Sequence, residues 1–396
     1  MSGPAGSVTA VAPVATTATV EGILVIVPPI TGDVIGGLPL VRRIVLAATA
    51  AGYDRILMRS AEPALRDQLA GTRATMLTPA ETLPAASGRR VVVMPGNVVP
   101  QARWLRALRE APMKRETLSV DRSLAAVVDT DDPGFVVMAA ARALDPSDLV
   151  TELRRKLAEA PAPDDVDGRF PIVATGDVAR AERWLLRSLI KQREGFMSRH
   201  FERRLSLAVT RLLAGTRITP NMMTVFSAAV GLTGAAFFLS SAPVWQLTGA
   251  LLFLAHSILD GCDGELARLR FQQSRWGAVL DFWGDNVVHV AVFLGIAVGW
   301  SRSIGAAWPL TLGAVASFAT LGSAAVFFGR TIEDRVEAGG AVARVVDALG
   351  SRDFIYVVVL LAAFGKATWF LAMAAVGAPV YLLLALALNG RHGRVR

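Results

Sequence analysis

Cysteine is nearly absent from this chain: Cys262 is the single one in 396 residues, so no internal disulfide can form and nothing is said about the redox compartment. Aromatic residues make up 7% of the sequence and show no interleaving with basic residues of the kind that stacks bases. That excludes a base-stacking surface as the reason for the net charge of +8, so no nucleic-acid partner is expected. The first twenty-one residues lack the basic start of a secretory signal; they read as a disordered leader, and the half that follows is expected to stay in the cytoplasm. Long apolar runs are also missing up to about Arg217. Beyond that point they dominate, which gives the chain 53% hydrophobic residues and a mean hydropathy of +0.45. The step marks the main domain boundary. Basic residues lie beside the apolar runs, which favours anionic lipid headgroups as their partners.

The N-terminal part alternates strand and helix signals. Ile23–Val27, Arg55–Met58 and Val91–Met94 read as strands, Leu40–Ala51 and Gln101–Arg109 as helices, and a further strand near Phe170–Ala174 is predicted to extend the same sheet. The expectation over 22–175 is a soluble α/β domain with a largely parallel sheet. From 176 to 218, Trp184, Leu185, Leu189, Phe196 and Leu205 interleave with Arg180, Arg183, Arg187, Lys191, Arg199, Arg203 and Arg204, as in a basic amphipathic helix lying in the headgroup layer. From 219 to 396 an all-α membrane domain of six spans is predicted: Met222–Ser240, Val244–Leu259, Gly277–Trp300, Ala307–Phe328, Phe354–Phe364 and Thr368–Leu388. The basic connections after spans two and four, and the basic tail, place both termini and the acidic segment on the cytoplasmic side of a multi-pass inner-membrane protein.

Within that domain Asp260, Asp263, Asp281 and Asp285 form two pairs, each beside an apolar stretch. Carboxylates so close to hydrocarbon are expensive unless neutralised. Their i,i+3 and i,i+4 spacings put each pair on one helix face. Two such faces together make a cage of hard oxygen ligands suited to Mg²⁺ or Mn²⁺ holding a pyrophosphate. Thr219-Pro220-Asn221 opens the first span with an N-cap residue and a proline at an early helical position, leaving amides exposed to an anion.

The pattern D-x-x-D-G-x-x-A-R, eight residues, then G-x-x-x-D-x-x-x-D resembles the signature of the CDP-alcohol phosphotransferase family. Every fixed position is filled: Asp260, Asp263, Gly264, Ala267, Arg268, Gly277, Asp281 and Asp285. The resemblance implies two Mg²⁺ or Mn²⁺ ions on the four aspartates, and a CDP-binding set of Pro220, Asn221, Thr224, Gly264, Arg268, Ser274 and Gly277. It assigns the catalytic base to Asp285, although sequence alone does not separate Asp281 from Asp285 in that role. The implied reaction transfers a phosphoalcohol group from a CDP-alcohol to a hydroxyl, releases CMP, and is run by a homodimer among membrane lipids.

Lys191…Gly195-Phe196-Met197-Ser198-Arg199 and Ser351-Arg352-Asp353 resemble acceptor-side elements of inositol-type members, which points to Lys191, Ser198, Arg199 and Arg352 as acceptor ligands. Inositol phosphate is the leading acceptor. The donor is CDP-diacylglycerol or, alternatively, soluble CDP-inositol, as in a di-inositol-phosphate-type synthase.

Gly36-Gly37-Leu38-Pro39-Leu40 resembles the nucleotidyltransferase domain fused to some of these relatives. Its phosphate loop is missing, however: Pro28-Pro29-Ile30-Thr31-Gly32-Asp33 offers two residues without N–H and no Lys or Arg, and Asn97 stands where a metal aspartate is expected. A retained fold without activity is the expectation. Two other classes compete. A membrane transporter would tolerate loss of Arg268 and release no CMP, and a non-catalytic scaffold would have lost an aspartate of the motif.

Overall fold

The computed structural model describes residues 22–59, 63–77, 90–161, 167–189, 201–332 and 354–392. It divides into two units, residues 1–33 with 39–178 and residues 34–38 with 179–396.

The first unit is built on a seven-stranded sheet. Its strands are β1 (Gly22–Val27), β4 (Arg55–Met58), β5 (Ala74–Met76), β6 (Arg90–Pro95), β8 (Thr117–Val120), β9 (Ala126–Asp129) and β10 (Ala158–Glu159), in the order β10-β8-β9-β6-β1-β4-β5. β1 runs parallel to β4 and β6, with Ile23 opposite Arg55 and Val91, while β9 runs antiparallel to both β6 and β8. β1 and β6 are buried at every position, as strands covered on both faces must be, and Ile23–Val27 and Val91–Met94 within them are accordingly unbroken Val/Ile/Leu/Met runs. Alternate residues Ile23, Val25, Val27, Val91 and Val93 pack in one cluster with Val136 and Val137 of α4 (Pro133–Arg142) and Leu149 and Leu153 of α5 (Pro146–Arg154).

Helix α1 (Leu40–Ala51) ends at Gly52, whose φ of 82° is open to glycine at little cost, and Gly52 N–H closes on Ala48 O and Thr49 O. Helix α3 (Ala102–Glu110) buries Trp104, Leu105 and Leu108, and Leu105 O accepts a 2.9 Å bond from the buried Tyr53 hydroxyl. Burial holds that phenol well above its usual range. Arg90 spans the sheet edge, paired with Asp129 at 2.8 Å and donating to the carbonyls of Leu108, Arg109 and Ala111.

The strand expected near Phe170 exists but does not join this sheet. β11 (Arg169–Pro171) pairs antiparallel with β7 (Val98–Pro100) in a separate two-stranded sheet. Asn97 ties that sheet down from both ends of the residue: its Nδ2 donates to Ile172 O and its carbonyl accepts from Ile172 N, each at 2.8 Å. A short hairpin, β2 (Val34–Ile35) and β3 (Leu38–Pro39), turns through Gly36 and Gly37 at φ 54° and 77°, the two positive values of a type I′ turn.

The stretch read as one interfacial helix over 176–218 holds, among its described residues, two helices, α6 (Asp177–Arg187) and α7 (Arg203–Leu213); 190–200 lie outside the described residues. α6 buries Ala181, Leu185 and Leu186 against protein, and α7 exposes Leu205 and Leu212 while burying Ser206 and Thr210. The packing faces, and not the headgroup layer alone, therefore set where these side chains point.

Six further helices follow among the described residues: α8 (Pro220–Phe237), α9 (Pro243–Arg270), α10 (Arg275–Ile304), α11 (Trp308–Ile332), α12 (Phe354–Ala363) and α13 (Ala367–His392). Among the described residues three, Arg275–Ile304, Trp308–Phe328 and Ala367–Ala387, are long and apolar enough to cross a membrane. α8 has 18 residues and α12 only 10, against the ~20 that span a bilayer. α9 is 28 residues long, about 42 Å at 1.5 Å per residue, and runs without a break through the first aspartate pair.

Small residues let these helices meet at backbone distance. A Cβ on Gly234 would lie 2.8 Å from Gly249 O, and one on Gly249 2.7 Å from Gly234 O, so α8 and α9 touch through paired glycines. Gly295 and Gly299 of α10 face the carbonyls of Ala235 and Phe238 in the same way. Gly295→Leu should force α10 off α8. Overpacking costs ~1–3 kcal/mol where side chains can give, and more against a backbone carbonyl. In detergent the variant should unfold at clearly lower temperature or aggregate; unchanged melting would show that α8 and α10 are not packed this closely.

Candidate metal and nucleotide site

The site forms where the ends of α8, α9 and α10 meet. Asp260 lies on α9 and Asp281 and Asp285 on α10, and the three offer carboxylate oxygens all within 4.8 Å of one another. Asp260 is 4% exposed, and the Asp285 side chain 23%, so the cluster is sunk but open on one side. The buried Asp281 Oδ1 has no hydrogen-bond partner among the described residues. Three carboxylates this close repel one another strongly, and an orphaned oxygen among them is costly. Hard oxygen ligands in this number and spacing fit a divalent cation of the Mg²⁺ or Mn²⁺ class.

Asp263, the fourth aspartate, lies outside the trio: its Oδ2 accepts a short hydrogen bond from the Thr224 hydroxyl of α8, which also donates to Pro220 O at 3.2 Å. Thr224, expected at the nucleotide, thus meets the metal cluster's own helix directly.

The other expected nucleotide ligands also come together. Thr219 caps α8, accepting from Met222 N at 3.3 Å, with Pro220 in the first turn as its sequence requires. Ser274 caps α10, accepting from Gly277 N at 2.9 Å. A Cβ on Gly277 would sit 3.0 Å from both Asn221 Oδ1 and Ser274 Oγ, so the first turns of α8 and α10 abut at this glycine. A Cβ on Gly264 would lie 3.2 Å from Arg268 Nη1. The absent side chain is therefore the space across which the Arg268 guanidinium folds back along α9. Two helix N-termini and an arginine beside an acidic cluster form a place for a phosphate chain bridged to metal. The expected acceptor ligands Lys191, Ser198, Arg199 and Arg352 lie outside the described residues.

Three residues that the sequence did not single out hold this arrangement. His256, one turn before Asp260, is 3% exposed; its Nδ1 lies 2.9 Å from Ser227 O and its Nε2 3.5 Å from Asp285 Oδ1. A carbonyl only accepts, so Nδ1 carries the proton and Nε2 is the atom turned to Asp285. Glu265, 1% exposed, accepts from Arg203 Nη1, Ser206 Oγ and Thr210 Oγ1, each at 2.7 Å, and so fastens α7 to α9. Cys262, near it on α9, is fully buried and donates its thiol to Ser206 O at 3.5 Å. The third is Arg270, whose guanidinium donates to four main-chain carbonyls. The one sequence signal for His256 was its i−4 position from Asp260.

Over residues 217–389 the sequence matches the family model described as CDP-alcohol phosphatidyltransferase. The matched residues include the four aspartates and the caps of α8 and α10. The chain is 40% identical over 113 residues to the bifunctional IPC transferase and DIPP synthase of Thermococcus kodakarensis, covering 28% of this chain and 25% of that protein. To the protein of the same name from Archaeoglobus fulgidus it is 35% identical over 176 residues, 44% of this chain and 33% of the other. To the CDP-diacylglycerol–serine O-phosphatidyltransferase of Mycobacterium bovis it is 37% identical over 93 residues, 21% of this chain and 32% of the other. The chain thus spans a quarter to a third of the length of these curated relatives.

Proposed function

We propose that the chain transfers a phosphoalcohol group from a CDP-alcohol donor to a hydroxyl of a polar alcohol, releasing CMP. The carrying observation is the convergence of Asp260, Asp281 and Asp285 within 4.8 Å beside the abutting N-termini of α8 and α10, inside the matched CDP-alcohol phosphatidyltransferase domain.

In this reading Asp260, Asp263, Asp281 and Asp285 would hold two divalent ions. Such ions, when bound, neutralise the donor's pyrophosphate and the CMP that leaves. Asn221, Thr224, Ser274, Gly277 and Pro220 cradle the cytidine diphosphate with helix N-termini, and Arg268 lies along its phosphates across Gly264. The acceptor oxygen forms a bond to the phosphorus nearer the donor alcohol while the bond from that phosphorus to CMP breaks. The hydroxyl proton passes to Asp285, whose side chain is 23% exposed and faces His256.

Lys191, Ser198, Arg199 and Arg352 would take a phosphorylated acceptor, because arginine grips phosphate with a planar fork. Inositol phosphate is the acceptor we favour, because the stretches around Lys191–Arg199 and Arg352 resemble acceptor-side elements of inositol-type members. CDP-diacylglycerol is the donor we favour, because the first unit lacks what is needed to make a soluble CDP-alcohol. The six helices α8–α13 would form a six-span membrane domain, with the site and both termini cytoplasmic and two copies forming a dimer. Membranes carrying the full chain, given CDP-diacylglycerol or CDP-inositol with a panel of labelled alcohols and alcohol phosphates, should yield a phospholipid only with the lipid donor. Product from CDP-inositol alone would replace the donor assignment.

The first unit, in the same reading, is a nucleotidyltransferase-like fold that no longer acts. The peptide bond between Pro28 and Pro29 is cis, and neither proline has an N–H for a phosphate. Asn97 uses its amide to hold β11, a role an aspartate's carboxylate would not fill. The full chain given CTP, Mg²⁺ and alcohol phosphates should release no pyrophosphate above background. Steady pyrophosphate production that depends on one acceptor would make the chain bifunctional and restore CDP-inositol as donor.

A further inference from the structure

We propose that Arg270 is a positioning residue for the nucleotide end of the site: it gathers the connection from α7 to α8 and so sets where the N-terminus of α8 stands. The proposal rests on the CDP-donor reading given above. Arg270 is the last residue of α9 and is 8% exposed. Its Nη1 donates to Ile218 O at 2.7 Å, and its Nη2 lies 2.6 Å from Leu213 O and 2.8 Å from the carbonyls of Ala214 and Thr216. Leu213 and Ala214 end α7, where carbonyls have no partner within the helix. Thr216 and Ile218 belong to the turn that delivers the chain to the Thr219 cap. One guanidinium therefore satisfies the end of α7 and fixes the turn, with the cation placed favourably at a helix C-terminus.

The turn holds itself weakly without it. Thr216 Oγ1 donates to Leu213 O at 2.8 Å and accepts from Ile218 N at 3.3 Å, and Thr216 N bonds Leu213 O at 2.9 Å. What the turn positions is the first turn of α8, whose Asn221 meets Gly277 and whose Thr224 meets Asp263. Arg268 and Arg270, two residues apart on one helix, point to different tasks: Arg268 folds over Gly264 at the site, and Arg270 reaches away to the turn. A lysine, a single point of charge, does not reproduce a planar fork reaching four acceptors.

The test uses the full chain in detergent micelles, as wild type, Arg270→Lys and Arg270→Ala. Hydrogen exchange without substrate should speed up over 213–224 by about tenfold or more in Arg270→Ala, with 243–266 unchanged. The donor KM should rise by about tenfold or more, while kcat and the acceptor KM stay within about threefold. Arg270→Lys should fall between, and free guanidinium ion should restore part of the donor KM in Arg270→Ala. Wild-type exchange with a wild-type donor KM in Arg270→Ala would overturn the proposal, as would a fall in kcat at constant donor KM. If Arg270→Ala does not fold, Arg270→Lys decides alone, and identity with wild type in both readouts overturns it. A wild type that turns over no CDP-alcohol would sink the donor reading, and the exchange result would still judge the clamp.

Discussion

Asp281→Asn abolishes CMP release while the protein stays folded, and Asp260→Asn and Asp263→Asn do the same. The expected asymmetry follows from the charges. Without metal, three carboxylates within 4.8 Å repel one another and Asp281 Oδ1 has no hydrogen-bond partner among the described residues, so removing one negative charge relieves strain. With metal, the same change deletes a ligand. Thermal unfolding without divalent ions should therefore be unchanged or raised in the variants, and the rise on adding Mn²⁺ or Mg²⁺ that wild type shows should shrink or vanish. Asp285→Asn should cut turnover by about 10²–10⁴-fold, the usual worth of a general base, with donor binding still measurable. Near-normal turnover in an Asp260, Asp263 or Asp281 variant would refute the two-metal arrangement. Retained turnover in Asp285→Asn would move the base elsewhere.

The second large effect is structural. Glu265→Ala should destabilise the membrane unit by about 3 kcal/mol, the lower end of what breaking a buried ion pair costs, since Arg203 is 15% exposed and partly reaches water. The change removes the one carboxylate on which Arg203 and the Ser206 and Thr210 hydroxyls converge. Glu265→Gln should be milder, because a carboxamide oxygen still accepts from one hydroxyl. Melting of Glu265→Ala within a degree of wild type would show that α7 is held to α9 by other means.

The aspartates and the α8 cap were legible because their meaning is local. Spacings of three and four residues place side chains on one helix face, and a Thr-Pro pair marks a helix start whatever the rest of the fold does. Glu265, Arg270 and His256 carry no such mark. Glu265 meets its partners 55 to 62 residues earlier, and Arg270 reaches back 52 to 57 residues to carbonyls, which have no sequence identity at all. The sheet shows the same limit. Strand β1 announced itself as an apolar run, but Ala126-Val127-Val128 does not say that β9 runs antiparallel. Phe170 read as a strand without saying which one it would pair with, and the bond from Asn97 to Ile172 decides that it joins β7. The six spans were read from hydropathy. Among the described residues three helices are long and apolar enough to cross a membrane, and α12, with 10 residues, is too short.

The most direct measurement is CMP release by the purified full chain from CDP-diacylglycerol in the presence of alcohol phosphates, with and without divalent ions. The account predicts CMP in step with product phospholipid, lost on chelation, recovered with Mg²⁺ or Mn²⁺, and absent from Asp285→Asn. No CMP from CDP-diacylglycerol or CDP-inositol with any alcohol, or release that persists after chelation, would contradict it.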